Sequence, residues 1–232
     1  MALGMKDPSH WGPQEKFKEA TKKTLAPTRT WDIKSGLTDR SLSIEQVGDT
    51  IVYTTQSHSP MRKDAYVTIH HKEDEKTAIA GVKLDSKSTW HIYLGDPTAE
   101  SGAGGQDCVV TSGGNTRTRQ YRFAPPAEQK DYAWRDTDEH EISIADTEVE
   151  TSGRDRKFIS LTPDGEEDEL LAIYLHNPKA SLRNKAQIFW FTEVSNEVEL
   201  WALAAVMGLV ERQRKSKDKF NFSAVVGAGA VM

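Results

Sequence analysis

An almost unbroken apolar run, Val198 to Val210, most constrains how this chain can fold. Its apolar residues would cover every side of a helix, whereas a surface helix shows one polar face. A membrane span needs about 20 predominantly apolar residues, and a run of about 10 to 14 is more typical of a core helix. We therefore predict a helix buried on all sides, in which Gly208 lets the surrounding backbone approach closely.

Polar residues mark both ends of this helix. Asn196 is a favourable N-cap residue, and Glu197 and Glu199 fall in the first turn, where acids favour the positive end of the helix dipole. The basic residues from Arg212 onward suit the negative end. We predict a core helix over residues 196–212.

Short apolar or alternating segments precede the helix and are separated by turn residues. Roughly a dozen such strands at regular spacing are typical of a β-barrel or sandwich. Two segments, Leu170–Leu175 and Ile188–Phe191, are apolar on both faces, as in strands that are covered on both sides. The predicted strands are Leu42–Val47, Thr50–Thr54, Ala65–His70, Ala78–Leu84, Trp90–Leu94, Val109–Thr111, Arg117–Phe123, Tyr132–Arg135, Glu141–Ala145, Lys157–Leu161, Leu170–His176 and Gln187–Thr192.

Length and charge restrict the class of protein. A chain of 232 residues is within the range of a single all-β domain. The net charge of −5 and the pI near 5.8 argue against a nucleic-acid partner, for which a pI above about 9 is expected. One cysteine, Cys108, excludes an internal disulfide; with no signal peptide, this predicts a reducing, cytoplasmic setting. For Cys108 itself we predict a small buried residue at a strand start.

The two ends of the chain look different from its middle. Residues 1–27 are rich in Lys and Pro and are predicted to be peripheral, with one short helix over Gln14 to Leu25. Residues 28–215 are assigned to one β domain. Residues 216–232 are assigned to a tail, either an added strand or disordered.

Motifs for metal, cofactor or nucleotide binding are weak. The glycine-rich stretch Gly95 to Gly114 lacks the lysine of a phosphate-binding loop and does not lead into a helix, so a flexible hairpin loop is expected. His70 and His71 are adjacent and would point to opposite faces of a strand. We predict no metal and no cofactor, and we identify no catalytic residue.

One strand carries a pattern suited to anions. Alternate residues of the predicted strand Arg117–Phe123 point to one face, which places two arginines beside a tyrosine. Guanidinium groups bind phosphate and carboxylate well. In the alternative interpretation, this is a solvated face whose arginines pair with the acids of residues 136–141. The candidate ligand-binding residues are Arg117, Arg119, Tyr121, Trp134 and Arg135.

Many short strands followed by one fully apolar helix resemble the tubby C-terminal fold, which also covers the plant LURP-one-related proteins and the phospholipid scramblases. The resemblance is carried by Asn196 to Val210 as the threading helix and by Gln187 to Thr192 as the strand before it. Tyr132-Ala133-Trp134-Arg135 is similar to an aromatic–basic strand in uncharacterised filamentous-fungal members. Over about Thr28 to Lys215, the resemblance implies a mainly β fold, an approximately twelve-stranded closed barrel around one hydrophobic C-terminal helix.

The resemblance leaves two classes of function open. Tubby proper tethers to membranes through phosphoinositide head groups held by basic residues, but its Lys/Arg signature is not recognisable here. The first class is therefore a non-catalytic module that binds an anionic lipid head group or a protein partner, with Arg212 to Lys219 as its one basic cluster. The second is a cofactor-free cyclase or isomerase, or a binding protein, of fungal secondary metabolism. It would bind an apolar small molecule at a barrel mouth, although a helix that fills the barrel counts against such a pocket. Neither class requires a transmembrane span.

Overall fold

The structure is a computed structural model that describes residues 23–35, 41–47, 51–58, 66–84, 89–96, 106–113, 119–128, 130–136, 142–144, 156–161, 168–176 and 184–228, with side chains in the last range described as far as residue 213. Within these residues there are fourteen strands and one helix. They are β1 (Lys23–Leu25), β2 (Arg29–Ser35), β3 (Ser41–Gln46), β4 (Ile51–His58), β5 (Tyr66–His71), β6 (Asp74–Leu84), β7 (Thr89–Leu94), β8 (Gln106–Gly113), β9 (Gln120–Phe123), β10 (Asp131–Asp136), β11 (Ile142–Ile144), β12 (Arg156–Leu161), β13 (Glu169–His176), β14 (Asn184–Trp190) and α1 (Asn196–Ala228).

Twelve strands form one closed barrel in which every neighbouring pair is antiparallel. Their order is β10-β12-β13-β14-β2-β3-β4-β5-β6-β7-β8-β9, and β9 pairs with β10 to complete the ring. β2 and β14 are far apart in the chain but adjacent in the barrel, with Trp31 opposite Ile188. The predicted fold class, a closed twelve-stranded barrel with one hydrophobic helix, is confirmed.

The helix α1 passes through the lumen of this barrel. Its side chains are buried on all sides from Trp201 to Leu209, as the uniformly apolar sequence predicted. Trp134 of β10 donates a hydrogen bond from Nε1 to the carbonyl oxygen of Ala202 at 3.0 Å. The inward face of the sheet and the entire circumference of the helix therefore share one core.

The barrel has two openings, which we name by the end of the helix that each holds. The N-terminal mouth lies beside Arg29 and Glu199, where α1 enters. The C-terminal mouth lies beside Trp90 and Arg212, where α1 leaves.

A second, smaller sheet covers part of the outside of the barrel. β1 and β11 pair in parallel. Ile144 of β11 packs against Ile173 of β13 and Phe189 of β14, which face away from the lumen. This cover explains why the sequences of β13 and β14 are apolar on both faces, as predicted.

The start of the helix differs from the prediction by one residue. Asn196 was expected to be the N-cap, but it is the first helical residue. The cap is Ser195: its hydroxyl accepts a hydrogen bond from the Val198 N–H at 3.2 Å, and its carbonyl accepts one from the Glu199 N–H at 3.0 Å. Serine and asparagine are about equally good N-caps, so the sequence alone did not choose between them.

Two further boundaries differ. Residues 23–25 form strand β1, so the predicted helix over Gln14–Leu25 is wrong there, and its residues 14–22 lie outside the described residues. The helix backbone continues to Ala228, well past the predicted end at residue 212, and so includes residues 216–228, which were assigned to the tail. Lys, Arg and Gln propagate a helix well, and Pro is absent from this stretch.

Candidate functional site

Three arginines converge at the C-terminal mouth, and we call them the arginine cluster: Arg119, Arg156 and Arg212. Arg119 directly precedes β9, Arg156 opens β12, and Arg212 belongs to α1 as it leaves the lumen. Asp136, the last residue of β10, connects Arg119 and Arg156. It is paired in register with Arg156, and its N–H donates to the carbonyl oxygen of Arg119 at 3.0 Å.

Arg156 is the most deeply buried member of the cluster, with 5% of its surface exposed. Its Nε lies 3.2 Å from Oδ1 of Asp136, an ion pair in which these two atoms do not meet hydrogen-bond geometry. Its guanidinium carbon lies 5.7 Å from the ring centroid of Tyr121. The position of Arg156 is thus set by one carboxylate and one aromatic ring.

Arg212 lies over the indole of Trp90, with its guanidinium carbon 5.0 Å from the ring centroid. Trp90 in turn contacts Tyr121, with centroids 5.5 Å apart. Burial lowers the pKa of Arg212; Tyr121 opposes this shift and the positive charge of Arg119 adds to it. An arginine pKa begins so high that the side chain stays protonated at neutral pH. The rings of Trp90 and Tyr121 therefore lie against the guanidinium groups of Arg212 and Arg156.

Among the described side chains of the C-terminal mouth, positive charges outnumber negative ones. Burial raises the pKa of Asp136, while Arg156 and Arg119 oppose that rise. Glu211, the other buried acid near this end of α1, accepts a hydrogen bond from the Ser57 hydroxyl of β4 at 3.0 Å. Among the described residues, the three guanidinium groups of the arginine cluster face two buried carboxylates, those of Asp136 and Glu211. Such an excess of guanidinium charge attracts phosphate and carboxylate groups.

The structure places the four described site residues at three different locations. Arg119 and Tyr121 both lie at the C-terminal mouth, the first exposed and the second buried. Trp134 belongs to the core, where its N–H is bound to the helix. Arg135 points away from the lumen and its Nη2 lies 2.9 Å from Oδ2 of Asp168. Arg117 lies outside the described residues, so the five are not shown as one surface.

The alternative interpretation, in which Arg117 and Arg119 pair with the acids of residues 136–141, stays a prediction. Asp136 pairs with Arg156 instead, and residues 137–141 lie outside the described part of the chain. Arg156 was not among the predicted site residues. Its signal was available, because Phe158 points inward and a residue two positions earlier in the strand shares that face.

The N-terminal mouth is chemically different. It holds a cleft of about 250 Å³. Arg29 and the buried Glu199 form an ion pair, and the Arg29 guanidinium carbon lies 5.2 Å and 5.5 Å from the rings of Trp31 and Trp190. Burial lowers the pKa of Arg29, with Tyr53 and Glu193 opposing the shift. This cleft therefore sets one guanidinium group against two carboxylates, those of Glu193 and Glu199. Its lining is Thr28, Arg29, Gln46, Thr192, Glu193, Val194, Asn196 and Glu199.

The lumen between the two mouths is occupied by α1. Its side chains Trp201, Met207 and Leu209 are all buried there. Cys108 is also buried, as predicted, although it is the third residue of β8 rather than the first. Burial, with a contribution from Asp107, raises the pKa of its thiol to about 12, which keeps it protonated and unreactive.

Two searches of the described residues bear on metals and membranes. They contain no group of three or more His, Cys, Asp or Glu side chains placed to hold a metal ion. Among the same residues, no helix has the length and apolarity needed to cross a membrane.

Comparison with known proteins gives one structural likeness. No family model matches the sequence, and a search of curated proteins gives no match. The chain is similar to an X-ray structure of a protein from Arabidopsis thaliana at 13% sequence identity and a TM-score of 0.46. The likeness covers 83% of this chain and 98% of that one. At this level it leaves the family of the chain open.

Proposed function

We propose that this protein is a non-catalytic binding module that takes the phosphate of an anionic lipid head group at the arginine cluster. One observation carries the proposal: Arg119, Arg156 and Arg212, from three separate elements, meet at one mouth of the barrel. Arginine presents its donors in a planar fork that matches phosphate oxygens. The closed barrel around a helix also supports the resemblance to the tubby C-terminal fold, which stays a proposal.

The roles within the cluster follow from burial. Arg156, held by Asp136 and Tyr121, would be a fixed donor at the base of the site. Arg119 is exposed and Arg212 half-buried, so both would contact a head group directly. The aromatic rings beneath Arg212 and Arg156 limit their motion, which lowers the entropy lost when a ligand binds.

The negative net charge of the chain does not oppose this proposal. Salt screens charges on a scale of about 10 Å at 0.1 M ionic strength, so a ligand at one mouth responds mainly to the charges of that mouth. The N-terminal mouth, with its one guanidinium group and two carboxylates, supplies an internal contrast on the same molecule.

Vesicle co-sedimentation tests the proposal. The full chain should sediment with phosphatidylcholine vesicles that contain a phosphoinositide, should stay in solution with phosphatidylcholine alone, and should be released by added salt. Competition with a soluble inositol phosphate separates head-group binding from attraction to the whole lipid surface. The combined change Arg119→Gln and Arg212→Gln should reduce retention by at least tenfold.

Arg135→Gln is the control on the outer face, where Arg135 pairs with Asp168; it removes one positive charge, against the two that the double variant removes. It should leave retention close to that of the unchanged protein. If the double variant melts normally and still binds as well as the Arg135 control, the arginine cluster is not the site.

A further inference from the structure

The helix α1 does not end where the barrel ends. Past Arg212, at the C-terminal mouth, its backbone continues through residues 213–228. At about 1.5 Å per residue this continuation is roughly 24 Å long. Because Arg212 already lies over Trp90, the second residue of β7 and close to the rim, the continuation leaves the barrel on the same side as the arginine cluster.

The sequence of this continuation changes character along the helix axis. Residues 212–219 include five basic residues and one acid, Asp218. Residues 220–232 include no charged residue and contain two phenylalanines, Phe220 and Phe222, followed by small and β-branched residues. Cationic sequence therefore comes first from the barrel outward, and apolar sequence comes second.

We propose that the apolar part of the continuation, residues 220–228, inserts into the surface of an anionic membrane while the basic part, residues 212–219, lies among the lipid head groups. The proposal rests on the proposed function, because it places the arginine cluster against the same membrane. It adds to that function a second contact, made with acyl chains instead of phosphate.

The order of the two parts favours a membrane as the partner. A bilayer presents anionic head groups first and hydrocarbon second, which is the order of charges and apolar residues met from the barrel outward. The apolar helical part is only nine residues long in the described chain. A span needs about 20, whereas helices anchored in the interface reach about 5–10 Å below the head groups. We therefore infer partial insertion into one leaflet.

Environment-sensitive fluorescence at two positions tests insertion. Val225→Cys carries the probe NBD within the apolar part, and Val47→Cys carries it at the opposite mouth, where Val47 is 58% exposed. The native Cys108 is buried and resists labelling. With phosphatidylcholine vesicles containing phosphatidylserine and a phosphoinositide, emission at position 225 should shift to the blue and rise severalfold. Acyl chains carrying a nitroxide should quench it, and position 47 should change little.

The outcomes separate this inference from the function on which it rests. If the chain sediments with vesicles but the probe at position 225 neither shifts nor is quenched, insertion is wrong and head-group binding stands. If Arg119→Gln with Arg212→Gln has no effect on sedimentation, the proposed function is wrong instead. Removal of residues 220–232 gives a second check: vesicle affinity should fall at least fivefold while binding of a soluble inositol phosphate is unchanged. Equal vesicle affinity after removal would also overturn insertion.

Discussion

Gly208 of the central helix lies against the indole of Trp90, with no room for a side chain between them. A β-carbon placed on Gly208 would lie 2.7 Å from Nε1 and 3.0 Å from Cδ1 of Trp90, and 3.0 Å from Cγ1 of Val82. Trp90 is completely buried and cannot swing away. The sequence predicted a close approach of neighbouring backbone at Gly208; the approach is made instead by the side chains of Trp90 and Val82. It fixes the distance between the helix and the β6–β7 part of the barrel.

Gly208→Ala should destabilise the protein by about 1–3 kcal/mol, the usual cost of overpacking a core. Alanine is intrinsically better than glycine in a helix by about 1 kcal/mol, so a net loss identifies the steric contact. Urea unfolding at equilibrium measures the change. The control is Gly113→Ala, where an added β-carbon meets no atom within 4 Å, and it should cost much less.

Leu203→Ala and Met207→Ala should each cost about 2–5 kcal/mol in free energy of unfolding, because both side chains are buried in the lumen. Val109→Ala, at an exposed position of β8, should change it by less than about 0.5 kcal/mol. Chemical denaturation of the three variants provides the comparison. An effect below about 1 kcal/mol at both helix positions would mean that the helix does not pack in the barrel in solution.

Stability should fall as the pH is lowered through about 6.5, in part because of His58. Burial, then the neighbouring His70, lowers the pKa of His58, and Asp96 opposes the shift. Both imidazoles contact the Thr68 hydroxyl, through Nε2 at 3.0 Å and 2.8 Å. The unfolded chain therefore takes up the proton first, and folding is penalised between the unfolded pKa and the lower folded one.

Denaturant titrations at several pH values between about 7.5 and 5 measure this dependence. His58→Gln should flatten the slope of stability against pH below about 6.5. His71→Gln, which changes an exposed histidine of β5, serves as the control. Equal slopes for the unchanged protein and His58→Gln would contradict the assignment.

Asp136→Asn should strengthen vesicle binding, since it removes the carboxylate that faces Arg156 and keeps the shape of the side chain. One unit of positive charge near an anionic surface is worth about 1 kcal/mol, or roughly fivefold in affinity. Asp168→Asn makes the same change in net charge beside Arg135 on the outer face and should have a smaller effect. Equal effects of the two changes would mean that binding follows net charge and not the arginine cluster.

The fold could be predicted because its signals are local. Turn residues between β-branched and aromatic segments placed eleven of the twelve barrel strands, and β11, within a few residues of their observed bounds. Strand β2 was not among the predicted strands. The all-round apolarity of residues 198–210 indicated a helix inside the barrel. Local signals did not identify the N-cap of the helix, because Ser195 and Asn196 are about equally good caps. They also failed for β1, whose three residues, Lys23–Leu25, form a strand by pairing with β11 more than a hundred residues away.

The candidate site could be predicted from the sequence only in part, because its residues come together through the pairing of strands that are distant in the chain. Alternation along one strand predicted Arg119 and Tyr121 on the same face; in the structure Arg119 is exposed just before β9 and Tyr121 is buried in the barrel. Nothing local indicates that Asp136 and Arg156 end up opposite one another, or that Arg212 emerges beside them, because these contacts require the closed barrel. Trp134 and Arg135 were grouped with the site from their chemistry, yet adjacent strand residues point to opposite faces.

The position of α1 in the chain has a consequence for how the protein is made. All twelve barrel strands are synthesised before the helix that fills their lumen. The ring cannot close until β14 is available to pair with β2. Until then the inward aromatic residues lack the packing of α1, and long-range strand pairing of this kind is slow. The core can therefore be completed only once α1 has been synthesised, and partly formed barrels of this kind expose apolar strands that favour aggregation.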